Sequence, residues 1–151
     1  MFAKLRRDRL AGGPVIINAA RGGHQKEADI VAALRDGTLL QTLVSRPNRH
    51  FYGHAVIHKD GEFLYATEND TTDPGRGLLG VYRFEGERLV HSGEISTHGI
   101  GPHQVSWMPD GETLVVANGG IRTEAESRVE MNLDAMEPSL VLMQRDGTLL
   151  S

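Results

Sequence analysis

The chain repeats itself, and the repeat limits it to a stack of similar β-units. Residues 54–69, His54-Ala-Val-Ile-His-Lys-Asp-Gly-Glu-Phe-Leu-Tyr-Ala-Thr-Glu-Asn69, lie over residues 103–118, His103-Gln-Val-Ser-Trp-Met-Pro-Asp-Gly-Glu-Thr-Leu-Val-Val-Ala-Asn118. Both segments open on His, carry Asp-Gly-Glu and close on Asn at the same total length. The second has one extra residue before its Asp-Gly and one fewer after it. Each reads as strand, tight turn, strand, because Asp60-Gly61 and Asp110-Gly111 supply the positive backbone angles of a hairpin.

A second element occurs three times. Residues 30–40, 79–89 and 140–150 are each an apolar strand, a Gly turn at Gly37, Gly86 or Gly147, and a second apolar strand. Val31 and Val81 are 50 residues apart, and Val81 and Val141 are 60. Removing the irregular loop 119–138 brings the second period near the first. Two hairpins per period of about 40–50 residues is the pattern of a four-stranded propeller blade. The expected fold is therefore all-β, a partial β-propeller of about three blades: one partial (15–45), one whole (51–96) and most of a third (101–151). The aliphatic stretches Phe63-Leu64-Tyr65 and Leu114-Val115-Val116 would form the interfaces between blades. A closed propeller needs at least four blades, and the chain stops at Ser151 just after a strand signal, so it reads as a fragment of a larger domain. Residues 1–47 fit the pattern least well. Lys26–Leu40 also has helical spacing at Ala28, Ile30, Val31 and Leu34, but the repeat favours strand.

Bulk properties exclude several functions. The net charge is −4, and the only basic cluster is Lys4, Arg6, Arg7 and Arg9. Nucleic acid is not expected as a partner, since phosphate binding needs concentrated positive charge. No apolar run approaches the ~18 residues of a membrane span, and Val15-Ile16-Ile17 is too short for a signal-peptide core of about 7–15 residues. The chain has no cysteine, which removes disulfides, thiolate metal sites and a cysteine nucleophile. No serine sits in a Gly-x-Ser-x-Gly elbow. The glycine pairs Gly75/Gly77 and Gly99/Gly101 lack the remainder of a dinucleotide fingerprint.

Several longer motifs follow one another in order: His50-Phe-Tyr-Gly-His54, Thr67-Glu-Asn-Asp70, Gly75-Arg-Gly77, Ser96-Thr-His-Gly-Ile-Gly-Pro-His103, Val116-Ala-Asn-Gly-Gly-Ile-Arg122, Asn132-Leu-Asp134 and Pro138-Ser-Leu-Val141. Over residues 48–151 the chain thereby resembles the bacterial family known as domain of unknown function 1513. The resemblance implies a seven-bladed parent propeller of the quinoprotein-dehydrogenase type, exported to the periplasm by a twin-arginine signal, and brings no established activity. The chain departs from the family pattern at His58-Lys59, where Ser-Pro is usual, a turn substitution expected to matter little. It departs again at Glu124-Ala125-Glu126, where a His-Pro-Asp commonly stands, which removes one ligand candidate.

If His54 and His103 open the innermost strands of neighbouring blades, they point toward one central funnel and can share a transition metal such as copper, iron or zinc. His98, in the Gly-rich loop five residues before His103, is near enough in sequence to join them. Glu68, Asn69 and Asn118 are candidate ligands or orienting groups. The alternative is that these histidines only hold blades in register by hydrogen bonds. The loop Gly119-Gly-Ile-Arg-Thr123 is a second candidate site. Its paired glycines let backbone approach a ligand, and Arg122 offers a fork to a carboxylate or phosphate unless it pairs with Glu68 or Asp134. Asp70 and Asp73 read as a solvated turn rather than a calcium loop. His24, His58 and His91 read as surface residues, and Trp107 and Met108 as core. The chemistry anticipated is thus a funnel for a small ligand or a periplasmic protein partner, with a metal-dependent oxidoreductase or metal-handling protein as the alternative.

Overall fold

Ten strands in three antiparallel meanders make up the structure. The computed structural model describes residues 16–20, 30–35, 38–86, 88–124 and 129–151. The first sheet runs β1 (Ile16–Ala20), β2 (Ile30–Arg35), β3 (Thr38–Val44). The second runs β4 (Arg49–Ile57), β5 (Phe63–Asp70), β6 (Gly77–Glu85), β7 (Arg88–Ser96). The third runs β8 (Pro102–Trp107), β9 (Thr113–Asn118), β10 (Ser139–Gln144). Helix among the described residues is limited to the 3₁₀ turn Leu133–Ala135. The segment with helical spacing, residues 26–40, is strand wherever it is described. No helix among the described residues is long and apolar enough to cross a membrane.

The repeat is visible in the turns. Gly61 N–H donates to the His58 carbonyl and Gly111 N–H to that of Met108, with Gly61 at φ +75° and Gly111 at +71°. Asp60 Oδ1 accepts the Glu62 amide, and Asp110 Oδ1 accepts those of Glu112 and Thr113.

Burial follows the two-residue period of a strand. On β5, Leu64 and Ala66 join Phe51, Tyr82 and Leu89 in one core cluster, which Leu43 of the first sheet completes. Tyr65 faces the other way, into a cluster with Leu79, Val105, Leu114, Val116, Val141 and Met143 of the second and third sheets. The middle sheet is therefore covered on both faces. β4 neighbours both β1 and β8, so the sheets stack along the chain order. Trp107 belongs to the core, donating its indole N–H to the Ile57 carbonyl (3.0 Å), whereas Met108 is exposed. At β3 a side chain ties the sheets together: the Gln41 amide donates to Leu89 O (3.1 Å) and accepts from Leu89 N (2.7 Å).

Two features expected on the surface are buried. His58 is 3% exposed. Its Nε2 lies 3.0 Å from the Gly111 carbonyl, its Nδ1 lies 2.7 Å from Asp60 Oδ2, and its ring meets Trp107 edge-on. Lys59 adds an ion pair to Glu112 at 2.6 Å. The His58-Lys59 departure therefore clamps one Asp-Gly turn onto the next, which corrects its reading as a minor turn change. Asp70 is also buried, paired with Arg49 (3.3 Å) and Arg76 (3.2 Å).

Asp70 belongs to a charged cluster on the β5 face that carries Leu64 and Ala66. Glu68, 1% exposed, accepts the Tyr82 hydroxyl at 2.5 Å and Arg46 at 3.1 Å. Arg46 also reaches Glu94 (2.9 Å), which Arg49 grips with two nitrogens (2.9 and 2.8 Å). Burial opposes the charge of Arg46, but the hydrogen bond to Glu94 and the charge of Glu68 more than offset it and raise its pKa. Burial and the adjacent Glu68 push the Tyr82 phenol well above its usual range. The hydrogen bonds from Arg49 hold the Glu94 carboxyl down at about 2. Its ordinary value is 4.5, so between these values the unfolded chain binds more protons than the folded one, and stability rises with pH. The contribution is complete above pH 4.5 and is lost as pH falls through about 2. Urea midpoints measured from pH 6 to 2 should fall across this window, and Glu94→Gln should flatten part of the fall. A parallel curve for the variant would contradict the assignment.

Candidate ligand cleft

The opposite face of β5 builds the candidate site. Tyr65, Thr67 and Asn69 alternate with Leu64, Ala66, Glu68 and Asp70, so Asn69 turns toward the third sheet while Glu68 turns toward the first. On β4 the same alternation sends Arg49 and Phe51 into the charged cluster and core, and His50 and Tyr52 toward the third sheet. Between those residues and the loops at either end of β8 and β9 lies a cleft of about 400 Å³. It is lined by His50, Tyr52, Gly101, His103, Gly119, Ile121, Thr123 and Glu130. Its size suits a small ligand. The His50 and Tyr52 rings meet edge-on at 5.7 Å, and the Tyr52 hydroxyl donates to Thr123 Oγ1 at 3.0 Å. A second, inner chamber of about 10 Å³ shares His50, Tyr52 and Thr123 with the cleft and is also lined by Asn69, Thr71 and Glu124. Asn69 is 3% exposed, and its Oδ1 has no hydrogen-bond partner.

Gly101 permits the cleft to form. It has φ +60°, and a Cβ there would lie 2.9 Å from the Ile121 carbonyl and 3.5 Å from the Tyr52 hydroxyl. The two glycines of the β9–β10 loop differ in role. Gly119 borders the cleft, whereas Gly120, at φ +75°, packs against the backbone of Glu137 and Pro138, where a Cβ would come within 2.3 Å. Gly120 therefore serves chain-to-chain packing rather than approach to a ligand.

The rings of His54 and His103 lie 5.3 Å apart, centroid to centroid. They are not register equivalents. Counted from the turns, Ala55 opposite Ala66 matches Val105 opposite Val116, so His54 corresponds to Gln104 and His103 to Gly53. Bulges between Phe51 and Ala55 and between Pro102 and Gln104 lie at these positions. A one-residue offset turns a side chain to the opposite face, which is how one ring from each sheet meets its counterpart in the space between. His98 makes a different contact: at φ +55° it places Nε2 2.8 Å from the Gly147 carbonyl. Among the described residues, no three His, Asp or Glu side chains group closely enough to hold a metal ion.

The remaining expected ligands are dispersed. Glu68 is held by Tyr82 and Arg46 and does not line the cleft. Asn118 is buried against the preceding loop, donating to Thr97 O (3.2 Å) and to Ser139 Oγ (3.1 Å). Arg122 pairs with neither Glu68 nor Asp134. Its guanidinium lies beside Gly75 and 4.0 Å from Glu137, and its amide donates to Asn132 Oδ1. His91 is exposed and rests on the Tyr82 ring, and His24 lies outside the described residues. Sequence reasoning did not single out His50, Tyr52, Thr123 or Glu130. The alternation in His50-Phe-Tyr-Gly-His54 carried the signal for the first two.

These features define an all-β protein of successive antiparallel meanders with a polar cleft between the second and third. Residues 13–151 match the family described as protein of unknown function DUF1513, and the chain belongs to that family. The match starts well before residue 48, where the quoted motifs begin. No curated protein and no solved structure matches the chain.

Proposed function

We propose that the three sheets are successive blades of a β-propeller, and that the cleft between the second and third receives a small polar ligand or a short segment of a protein partner. The adjacency of β4 with β8 supports the propeller, because first strands of neighbouring blades approach one another near the axis. The observation that carries the binding reading is the cleft itself, whose polar side chains come from two sheets and one loop. The family resemblance supports a periplasmic setting. The paired rings of His54 and His103 favour one second reading, in which the same region handles copper, iron or zinc.

One thermal-shift experiment tests both. A panel of polar metabolites, with copper(II), iron(II) and zinc(II) as separate arms, is screened against the native chain, Ile121→Trp and His103→Ala. A ligand present at a hundred times its Kd stabilises by about 2.7 kcal/mol, a shift of about 5–10 °C for a chain of this size. A shift lost in Ile121→Trp, which fills the cleft, supports the ligand reading. A metal shift lost in His103→Ala supports the metal reading. No shift with any compound would count against both.

A further inference from the structure

Resting on the cleft reading, we infer that the inner chamber takes the ammonium head of an organic amine, with Asn69 Oδ1 as its acceptor and the body of the ligand in the outer cleft. The argument begins with an imbalance. Asn69 is almost fully buried, lines the chamber, and leaves its carbonyl oxygen without a partner. A buried acceptor in that state is destabilising unless a donor reaches it. Asn118, which the register matches with Glu68 rather than with Asn69, also has an unpartnered Oδ1, but its amide nitrogen is tied to Thr97 and Ser139, and it lines no cavity described above.

Three observations select the donor. The chamber, at about 10 Å³, has room for one water-sized group, so the head is a single heavy atom with its hydrogens. An ammonium group presents three donors and no acceptor, which suits a wall of amide, hydroxyl and carboxylate oxygens from Asn69, Thr71, Thr123 and Glu124. Neither cavity is lined by Lys or Arg among the described residues, while Glu130 adds a carboxylate to the outer cleft. Among the described lining residues an anionic head therefore finds no countercharge, and a cationic one finds two carboxylates. Tyr52 and Thr123, hydrogen-bonded to each other, line both spaces.

The test uses four compounds with one butyl tail: n-butylammonium, n-butanol, n-butyltrimethylammonium and butyrate. They are titrated into the 151-residue chain and followed through the Asn69 side-chain amide signals in ¹H–¹⁵N spectra. The expected result is movement of those signals by butylammonium, with at least tenfold weaker binding of butanol and none of butyrate. The trimethyl compound, whose head has no N–H and exceeds the chamber, should also fail. Asn69→Ala should weaken butylammonium at least tenfold. Asn69→Asp, which keeps the shape and adds charge, should tighten it and serves if the alanine variant does not fold. Equal binding of the trimethyl compound, or an alanine variant with unchanged affinity, would overturn the inference. So would Asn69 signals that report only a bound water at saturating amine. If a different ligand from the metabolite panel still loses its shift in Ile121→Trp, the cleft reading survives this failure. If none does, both fall together.

Discussion

Arg46→Ala is expected to cost about 3–5 kcal/mol, because it removes one partner of a buried pair and leaves the other charge uncompensated. Glu68 is 1% exposed, and among the described residues its hydrogen-bond partners are Arg46 and the Tyr82 hydroxyl. Glu94 would keep Arg49 and Arg76 but lose a third guanidinium. The melting temperature should drop by about 6–20 °C for a chain of this length. Glu68→Gln separates charge from hydrogen bonding: an amide oxygen can still accept from Tyr82, so this variant should lose markedly less than Arg46→Ala. Pairing the two substitutions should recover part of the loss, since the orphaned carboxylate is then absent. If Arg46→Ala melts within a degree or two of the native chain, the cluster is solvated and the account of Glu68 is wrong.

Gly120→Ala is the second large effect, and its neighbour supplies the control. A non-glycine residue in the left-handed region costs about 1–2 kcal/mol. Here the new Cβ would also sit 2.3 Å from the carbonyl carbon of Glu137 and from Pro138 N, which are backbone atoms with no rotamer to yield. The total is expected to be about 3 kcal/mol or more. Gly119→Ala meets only the Gly101 carbonyl, at 3.5 Å, and should change stability by less than about 1 kcal/mol. Urea unfolding of the two variants measures the difference. Similar losses at both positions would show that the loop yields as a unit and that the packing of Gly120 on residues 137–138 is unimportant.

The hairpins were legible in the sequence because their information is local. An Asp that caps its own turn and a Gly that takes positive φ leave a mark within a few residues, and the copies at Asp60-Gly61 and Asp110-Gly111 located the opening hairpins of the second and third sheets. Repetition also settled residues 30–40 as strand against their helical spacing. The site was less legible, since its geometry depends on which face a residue takes. Glu68 and Asn69 are adjacent in sequence and were grouped together, yet in a strand adjacent residues point apart, one into an ion cluster and the other into a chamber. His54 and His103 meet through bulges that shift register by one residue, and no residue pattern announces a bulge. His58 was misjudged because its partner, Gly111, comes from a distant part of the chain, and Arg122 lies near Glu137 rather than Glu68 or Asp134 because its loop is irregular. A side chain's burial there is decided by what the fold brings over it.

The Gln41 contact has a consequence for the chain among its neighbours in solution. β7 is the last strand of its sheet, and Leu89 presents an amide and a carbonyl where another strand could dock. A single carboxamide engages both groups in the reciprocal manner of a peptide unit. Gln41 thus mimics one residue of a fifth strand of that sheet, and it fills the place from which edge-to-edge pairing could spread. Where proteins commonly guard an exposed edge with charge or proline, this sheet is guarded at Leu89 by a borrowed amide.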